Sequence, residues 1–330
     1  MPITWTETLV GTASLLGSRF PIEEVGCQVY SISRSSINII DRNGSLLTLV
    51  AYPKQLHPLS AVVEQSLAGN SFLAWHINEN QTVHITKDKI EFEGGKWVSL
   101  LKAKRVPPES EAPHKDGKVD WPKIYDYIQI LNTLQQKKRT QLQISCFFNQ
   151  TENRSFFSLV FQCLATKLFE GYVHQDLQSV LQATEKLLGL GPGSTPAGDD
   201  FICGFLLLLN IVSGKETPEG VAIDPTFSTL YREKLQQLLH TTNLTTVISR
   251  QFLLLGCEGL FAQGLVRLGN ACIYPQSDNT LFIESLLSLD TMGNSSGFDV
   301  ATGLLLGLLV SMPVSAQRRD YELPVFLHCG

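Results

Sequence analysis

The first hundred residues read as strands and turns. Segments 28–33 and 36–40 are rich in β-branched and aromatic residues, and Asp41, Arg42, Asn43 and Gly44 form a hairpin signal ahead of a further strand over 46–50. Two more strands are predicted over 82–85 and 97–101, separated by a turn at Glu93, Gly94 and Gly95. Between Lys102 and Lys118 the pattern gives way to Pro, Glu, Lys and His, with Pro107, Pro108 and Pro113, which predicts an exposed, mobile connection. From Trp121 onward apolar residues recur at three- and four-residue spacing. Helices are predicted over 125–136, 158–170 and 177–188, the last stopped by Gly189, and then over 230–240, 247–268 and 281–289. Residues 323–328 fit either a strand or an extended arm. The expected fold is α+β: a small β-rich N-terminal domain over 1–105, an exposed connection over 106–120, and a larger, mainly α-helical C-terminal domain over 121–330.

Two longer apolar runs, 201–209 and 300–309, each follow a glycine-containing acidic turn. The first turn, 189–200, holds four glycines and two prolines and ends in Asp199 and Asp200. Such a composition makes a shaped loop rather than an element interior. The second turn, 293–299, ends in Asp299. Aligning Asp200 with Asp299 places a glycine two residues before each acid (Gly198, Gly297) and another four residues after it (Gly204, Gly303). In a helix, positions i and i+4 share a face, so each acid is followed one turn later by a spot with no side chain. The two turns read as a pair lining one site. Taken singly, Asp199 or Asp299 reads as a helix cap. Two adjacent acids cannot both be caps, and the repeated glycine framing adds to the case for a site.

A third polar cluster, Thr241, Thr242, Asn243, Thr245 and Thr246 around Leu244, precedes the 247 helix and is ordinary capping chemistry. In a compact domain the three helix starts would converge on one pocket, where outward N–H groups suit an anion.

Length, at 330 residues, favours two domains, and 43% hydrophobic with 17% charged residues supplies buried cores. A net charge of -5 leaves no basic footprint for nucleic acid, and Lys137, Lys138 and Arg139 read as a solvated helix face. The seven cysteines are scattered without a CxxC pair, which suggests a reducing, cytoplasmic setting and argues against a zinc site. The N-terminus shows no signal peptide, and the apolar runs fall short of the roughly 20 residues a membrane span needs. No histidine lies inside the three motifs, so a Ser-His-Asp arrangement has no support. No Lys-Ser or Lys-Thr pair closes the glycine-rich loop, which excludes a P-loop. No nucleotide or haem signal is present.

The loop 189–200 with its following helix resembles the GLGPGLTPSGDD signature of the AllH-like family. The threonine cluster looks like that family's threonine-rich segment before a helix, and 293–303 looks like its Gly-His-x-Ser-Gly-x-Asp motif. The likeness covers about the C-terminal half, and the β-rich start matches in character. Ser194 stands where a leucine is usual, Ala197 where a serine is usual, and Asn294 where a histidine is frequent. Gly191, Gly193, Thr195, Pro196, Gly198, Asp199, Asp200, Ser296, Gly297 and Asp299 match by position.

Members of that family accompany purine and allantoin degradation genes, and one branch is regarded as a subunit of oxamate carbamoyltransferase. The resemblance implies transfer of a carbamoyl group between an oxamate-like amide and phosphate. Gly191, Gly193, Thr195 and Gly198 would shape an anion cradle, joined by Thr242, Thr245, Ser295, Ser296 and Gly297. Asp199, Asp200 and Asp299 would hold magnesium, which favours a few carboxylate oxygens plus water. The implied partners are a small anionic substrate or phosphate, and other subunits in a hetero-oligomer. Two alternatives stand beside it. One is a magnesium-dependent hydrolase of ADP-ribosyl type. The other is a non-catalytic binding or assembly module, in which Gly204, Gly303 and Gly307 serve helix packing and the aspartates are caps.

Overall fold

The computed structural model describes residues 7–23, 25–65, 71–114, 118–148, 155–212, 224–273, 278–289 and 295–312. Gly293, Asn294 and the 323–328 segment lie outside these residues. The chain divides into two compact units, 1–112 with 260–264, and 113–259 with 265–330.

The first unit is a closed barrel. Its strands are β1 (Thr8–Leu16), β2 (Val25–Ile32), β3 (Ser36–Asp41), β4 (Leu46–Val50), β5 (Ser60–Gln65), β6 (Thr82–Ile85), β7 (Lys89–Phe92) and β8 (Lys96–Ser99). They follow the order β5-β4-β3-β2-β6-β7-β8-β1, and antiparallel pairing of β1 with β5, Leu16 opposite Ala61, closes the ring. A two-residue β9 (Lys104–Arg105) pairs with the end of β1. Closure leaves few unpaired strand edges and gives each strand an inward face. In β6, Val83 and Ile85 are buried and His84 between them is exposed, the alternation a barrel wall requires. The core gathers Val10, Ile37, Ile39, Leu49, Val63, Ile90 and Val98 around Trp75. The predicted hairpin is held by the Asp41 carboxylate, which accepts from the N–H groups of Asn43 and Ser45 at 2.8 Å each, with Gly44 at φ +82°.

β1, β5 and β7 carry no clear strand signal. β1 departs from regular pairing between Leu9 and Gly11, and a Cβ on Gly11 would stand 2.7 Å from Val63. A glycine is needed there for packing, and it breaks the pattern that would have advertised a strand.

The proline-rich stretch is not exposed throughout. Glu111 is fully buried, its Oε1 accepting from the Ser18 N–H at 3.0 Å and its Oε2 from the Ser18 hydroxyl. The Glu111 carbonyl in turn accepts from the N–H of Phe261 at 2.8 Å, and Leu56 does the same for Gln263 at 2.9 Å.

The second unit is helical: α1 (Trp121–Lys138), α2 (Phe156–Val173), α3 (Leu177–Leu187), α4 (Ala197–Val212), α5 (Pro225–Thr241), α6 (Val247–Cys257), α7 (Gln263–Ile273), α8 (Thr280–Ser288) and α9 (Ser296–Val310). The helix predicted over 247–268 is two. Gly259, at φ +78°, takes a left-handed turn that ends α6, and Asn210 donates to its carbonyl at 3.2 Å. Residues 260–264 then belong to the barrel unit, which periodicity could not reveal.

α4 and α9 are apolar on all sides and buried along nearly their whole length, as such helices must be. Aromatic rings pack around α4: Phe201 meets Phe161 at 5.1 Å, and Phe205 meets Tyr172 at 5.2 Å and Tyr231 at 5.4 Å. α9 runs directly against α4. A Cβ on Gly204 would stand 2.1 Å from the Val300 carbonyl oxygen, and one on Gly303 2.2 Å from that of Phe201. The two backbones therefore touch at a glycine on each side, and the acidic turns at their N-terminal ends are brought together. α1 covers α9, with Gln135 Nε2 donating to Thr302 Oγ1 at 3.0 Å. Among the described residues no helix is long and apolar enough to cross a membrane.

Candidate functional site

The loop before α4 is shaped by left-handed glycines. Gly189, Gly191 and Gly193 have φ of +73°, +118° and +101°. A Cβ on Gly189 would stand 2.3 Å from the Leu244 carbonyl oxygen, so the loop packs tightly on the threonine-rich segment there. Gly193 has open space around it, and Pro192, Gly193 and Ser194 are exposed. The Pro196 carbonyl accepts from the N–H groups of both Asp199 and Asp200, which puts both acids in the first helical turn and makes neither a cap. Asp199 instead reaches back and accepts from the Gly189 N–H at 2.8 Å, closing the loop on itself.

Hydroxyls tie three helix starts together. Thr245 donates to the second Asp199 oxygen. Thr246 caps α6 by accepting from the Ser249 N–H at 3.0 Å, and its own hydroxyl donates to the Ser194 carbonyl at 2.6 Å. Thr195 and Ser296 share a hydrogen bond of 2.7 Å between the loop and α9. The N-terminal ends of α4, α6 and α9 thus meet on one face, where first-turn N–H groups lack intrahelical partners.

Not every candidate residue stands at that face. Thr242 closes the end of α5, its hydroxyl donating to the Leu238 carbonyl at 2.8 Å. Gly198 and Gly297 are packing positions, since a Cβ there would lie 1.9 Å from the Leu187 carbonyl oxygen and 2.4 Å from Leu289 Cβ. The Gly198 N–H is also spent, on the Leu190 carbonyl at 2.9 Å. Gly191, Gly193, Thr195, Thr245, Ser295 and Ser296 remain with the converging helix starts. Thr246, part of the cluster read as capping chemistry, is the residue that caps α6.

The three acids have different surroundings. Asp199 is 2% exposed, and burial raises its pKa against the opposing pull of the Thr245 hydroxyl and the Gly189 N–H. Asp200, 9% exposed, is raised well above the usual carboxylate range, first by burial and then by the negative charge of Asp299. Asp299, 1% exposed, is pushed by burial to about 7. The Ser296 and Thr195 hydroxyls face Asp200, and Ser295 faces Asp299, each favouring the charged form. Among the described residues, Asp200 Oδ2 and Asp299 Oδ1 are nonetheless buried without a hydrogen-bond partner. Two adjacent carboxyls with no counter-charge among the described residues resist full ionisation.

This distribution does not fit the three-acid magnesium arrangement. Both Asp199 oxygens already accept hydrogen bonds, and among the described residues no group of three His, Cys, Asp or Glu side chains could hold a metal ion. Asp199 is a latch that shapes the loop. Asp199→Ala is expected to cost about 2–3 kcal/mol, the scale for losing hydrogen bonds to a charged group. Asp199→Asn, which keeps one acceptor oxygen, should cost about half as much. Urea unfolding of the two variants checks this, and equal losses would contradict the latch.

An open depression of about 420 Å³ between α2 and α3, lined by Lys167, Glu170, His174, Gln182 and Lys186 among others, includes none of the motif residues.

Comparison with known families bears on both units. The family model described as oxamate carbamoyltransferase subunit AllH matches residues 187–308, a span that holds all three converging helix starts. The model described as the AllH family N-terminal domain matches residues 8–105, the strands of the barrel. Neither the curated proteins nor the solved structures give a match.

Proposed function

Since the chain belongs to the AllH family, we propose that it is the AllH-type subunit of an oxamate carbamoyltransferase, moving a carbamoyl group between an oxamate-like amide and phosphate in purine or allantoin breakdown. The observation that supports this reading is the meeting of the α4, α6 and α9 starts, stapled by the Thr195–Ser296 and Thr246–Ser194 hydrogen bonds. Carbamoyl transfer to an amide forms a C–N bond and breaks a C–O bond to phosphate. The phosphate leaves with the electron pair, and the nitrogen loses a proton. Charge therefore builds on phosphoryl and acyl oxygens, and preorganised N–H and O–H donors stabilise it. Helix-end N–H groups and the hydroxyls of Thr195 and Ser296 are donors of this kind. Burial raises the pKa of both Asp200 and Asp299, which lessens the negative charge an approaching anion meets on a face that carries three acids. The family description names a subunit, so the assembled enzyme requires partner chains.

Because activity depends on those partners, binding is the direct test. Phosphate, oxamate and carbamoyl phosphate should each raise the melting temperature of the chain, purified alone or with its co-purifying subunits. At a hundred times Kd the gain is about 2.7 kcal/mol. Thr195→Val with Ser296→Ala should weaken phosphate binding by roughly tenfold, the worth of one or two hydrogen bonds to an anion. Absence of any thermal shift or heat with all three ligands, for the chain and its complex, would remove the reading.

A further inference from the structure

Asp200 and Asp299 are a matched pair. Each lies in the first turn of a buried helix, four residues before the glycine at which α4 and α9 touch. Among the described residues, each keeps one fully buried oxygen with no donor, Oδ2 on Asp200 and Oδ1 on Asp299. Buried acceptors left unpartnered cost free energy, and native structures leave few of them without a reason. Among the described residues no Lys or Arg pairs with either acid, since the ion pairs found involve Lys89 in the barrel. A bound molecule that brings two N–H donors would satisfy both.

We propose that Asp200 and Asp299 recognise the –NH2 of the carbamoyl group, each accepting one of its two N–H bonds, while Thr195 and Ser296 take the phosphate oxygens. The proposal rests on the carbamoyl-transfer reading and assigns the residues that select the transferred group. A planar –NH2 has two N–H bonds that diverge, and the pair presents one acceptor from each helix. Thr195 and Ser296 both face Asp200 and are bonded to each other. A phosphate arriving there replaces that mutual bond and places the amino group of the same molecule against the acids. Sites built to hydrogen-bond an N–H reject the analogue that lacks it, because their own polar groups are then left unpaired.

Acetyl phosphate has a methyl where carbamoyl phosphate has –NH2, with nearly the same shape. Calorimetric titration of the full chain, with its co-purifying subunits, should give carbamoyl phosphate roughly tenfold or more tighter binding than acetyl phosphate. In Asp200→Ala and Asp299→Ala that ratio should fall to near unity, with affinity for inorganic phosphate retained. Wild-type protein that binds phosphate but treats the two acyl phosphates alike overturns the proposal and leaves the carbamoyl-transfer reading standing. This measurement needs no variant to fold. Discrimination that survives in both alanine variants, or that arises only when magnesium is added, also overturns it. Wild-type protein that binds none of the three ligands removes the reading and the proposal together.

Discussion

Asp299→Asn should make the helical unit more stable at pH 8 by about 4 kcal/mol and flatten its response to pH. A buried carboxyl whose pKa stands at about 7 in the folded protein, against 3.8 in the unfolded chain, binds its proton more tightly when folded. Below pH 3.8 both states are protonated and the group costs nothing. Between that pH and about 7 the unfolded chain has already ionised, so stability falls as pH rises. Above 7 the whole penalty is present. About three pKa units correspond to about 4 kcal/mol, at 1.36 kcal/mol each. Burial, and after it the charge of Asp299, raises the pKa of Asp200 as well, so the Asp200 contribution runs in the same direction. Asparagine keeps the shape and removes the ionisation. Urea unfolding followed by helical signal at pH 5 and pH 8 gives the answer. A variant that is less stable than wild type at pH 8, or that keeps the wild-type slope, would show that the carboxyl is paired in a way this account omits.

Gly303→Ala should destabilise the same unit by about 3 kcal/mol, whereas Gly307→Ala should cost far less. At Gly303 the added methyl would stand 2.2 Å from a backbone oxygen of Phe201, and backbone cannot rotate away. α4 and α9 must separate by about 1 Å, loosening contacts along both helices; overpacking of this kind costs about 1–3 kcal/mol and occasionally more. Replacing glycine within a helix returns about 1 kcal/mol of propensity, which offsets part of the strain. At Gly307 the nearest atom, 2.3 Å away, is the Cδ2 methyl of Leu208, the movable end of a side chain. For a domain of this size, 3 kcal/mol lowers Tm by about 6–12 °C. If Gly303→Ala melts with wild type, or Gly307→Ala is the worse of the two, direct backbone contact is not what joins these helices.

Much of the architecture was legible because it depends on short-range signals. Strand-forming residues around the Asp41–Gly44 turn and the helical spacing after Trp121 led to the α+β reading. The glycine-acid loop pointed to the family. Regular spacing could not show that Gly259 ends α6, because the apolar pattern runs on past a left-handed turn set by one residue. Nor could composition reveal that Glu111, in a run of proline and charge, is buried on Ser18, a residue 93 positions away.

By itself, the sequence determined that the α4 and α9 segments must be buried, since helices apolar on every side are stable only inside a protein, and that an acidic, glycine-framed turn precedes each. Only the tertiary structure decided what each acid does. A carboxylate's role depends on which donors reach its oxygens, and those donors come from distant parts of the chain. Gly189 and Thr245 occupy Asp199, while the close approach of α4 and α9 leaves Asp200 and Asp299 each with a buried acceptor that no described residue meets.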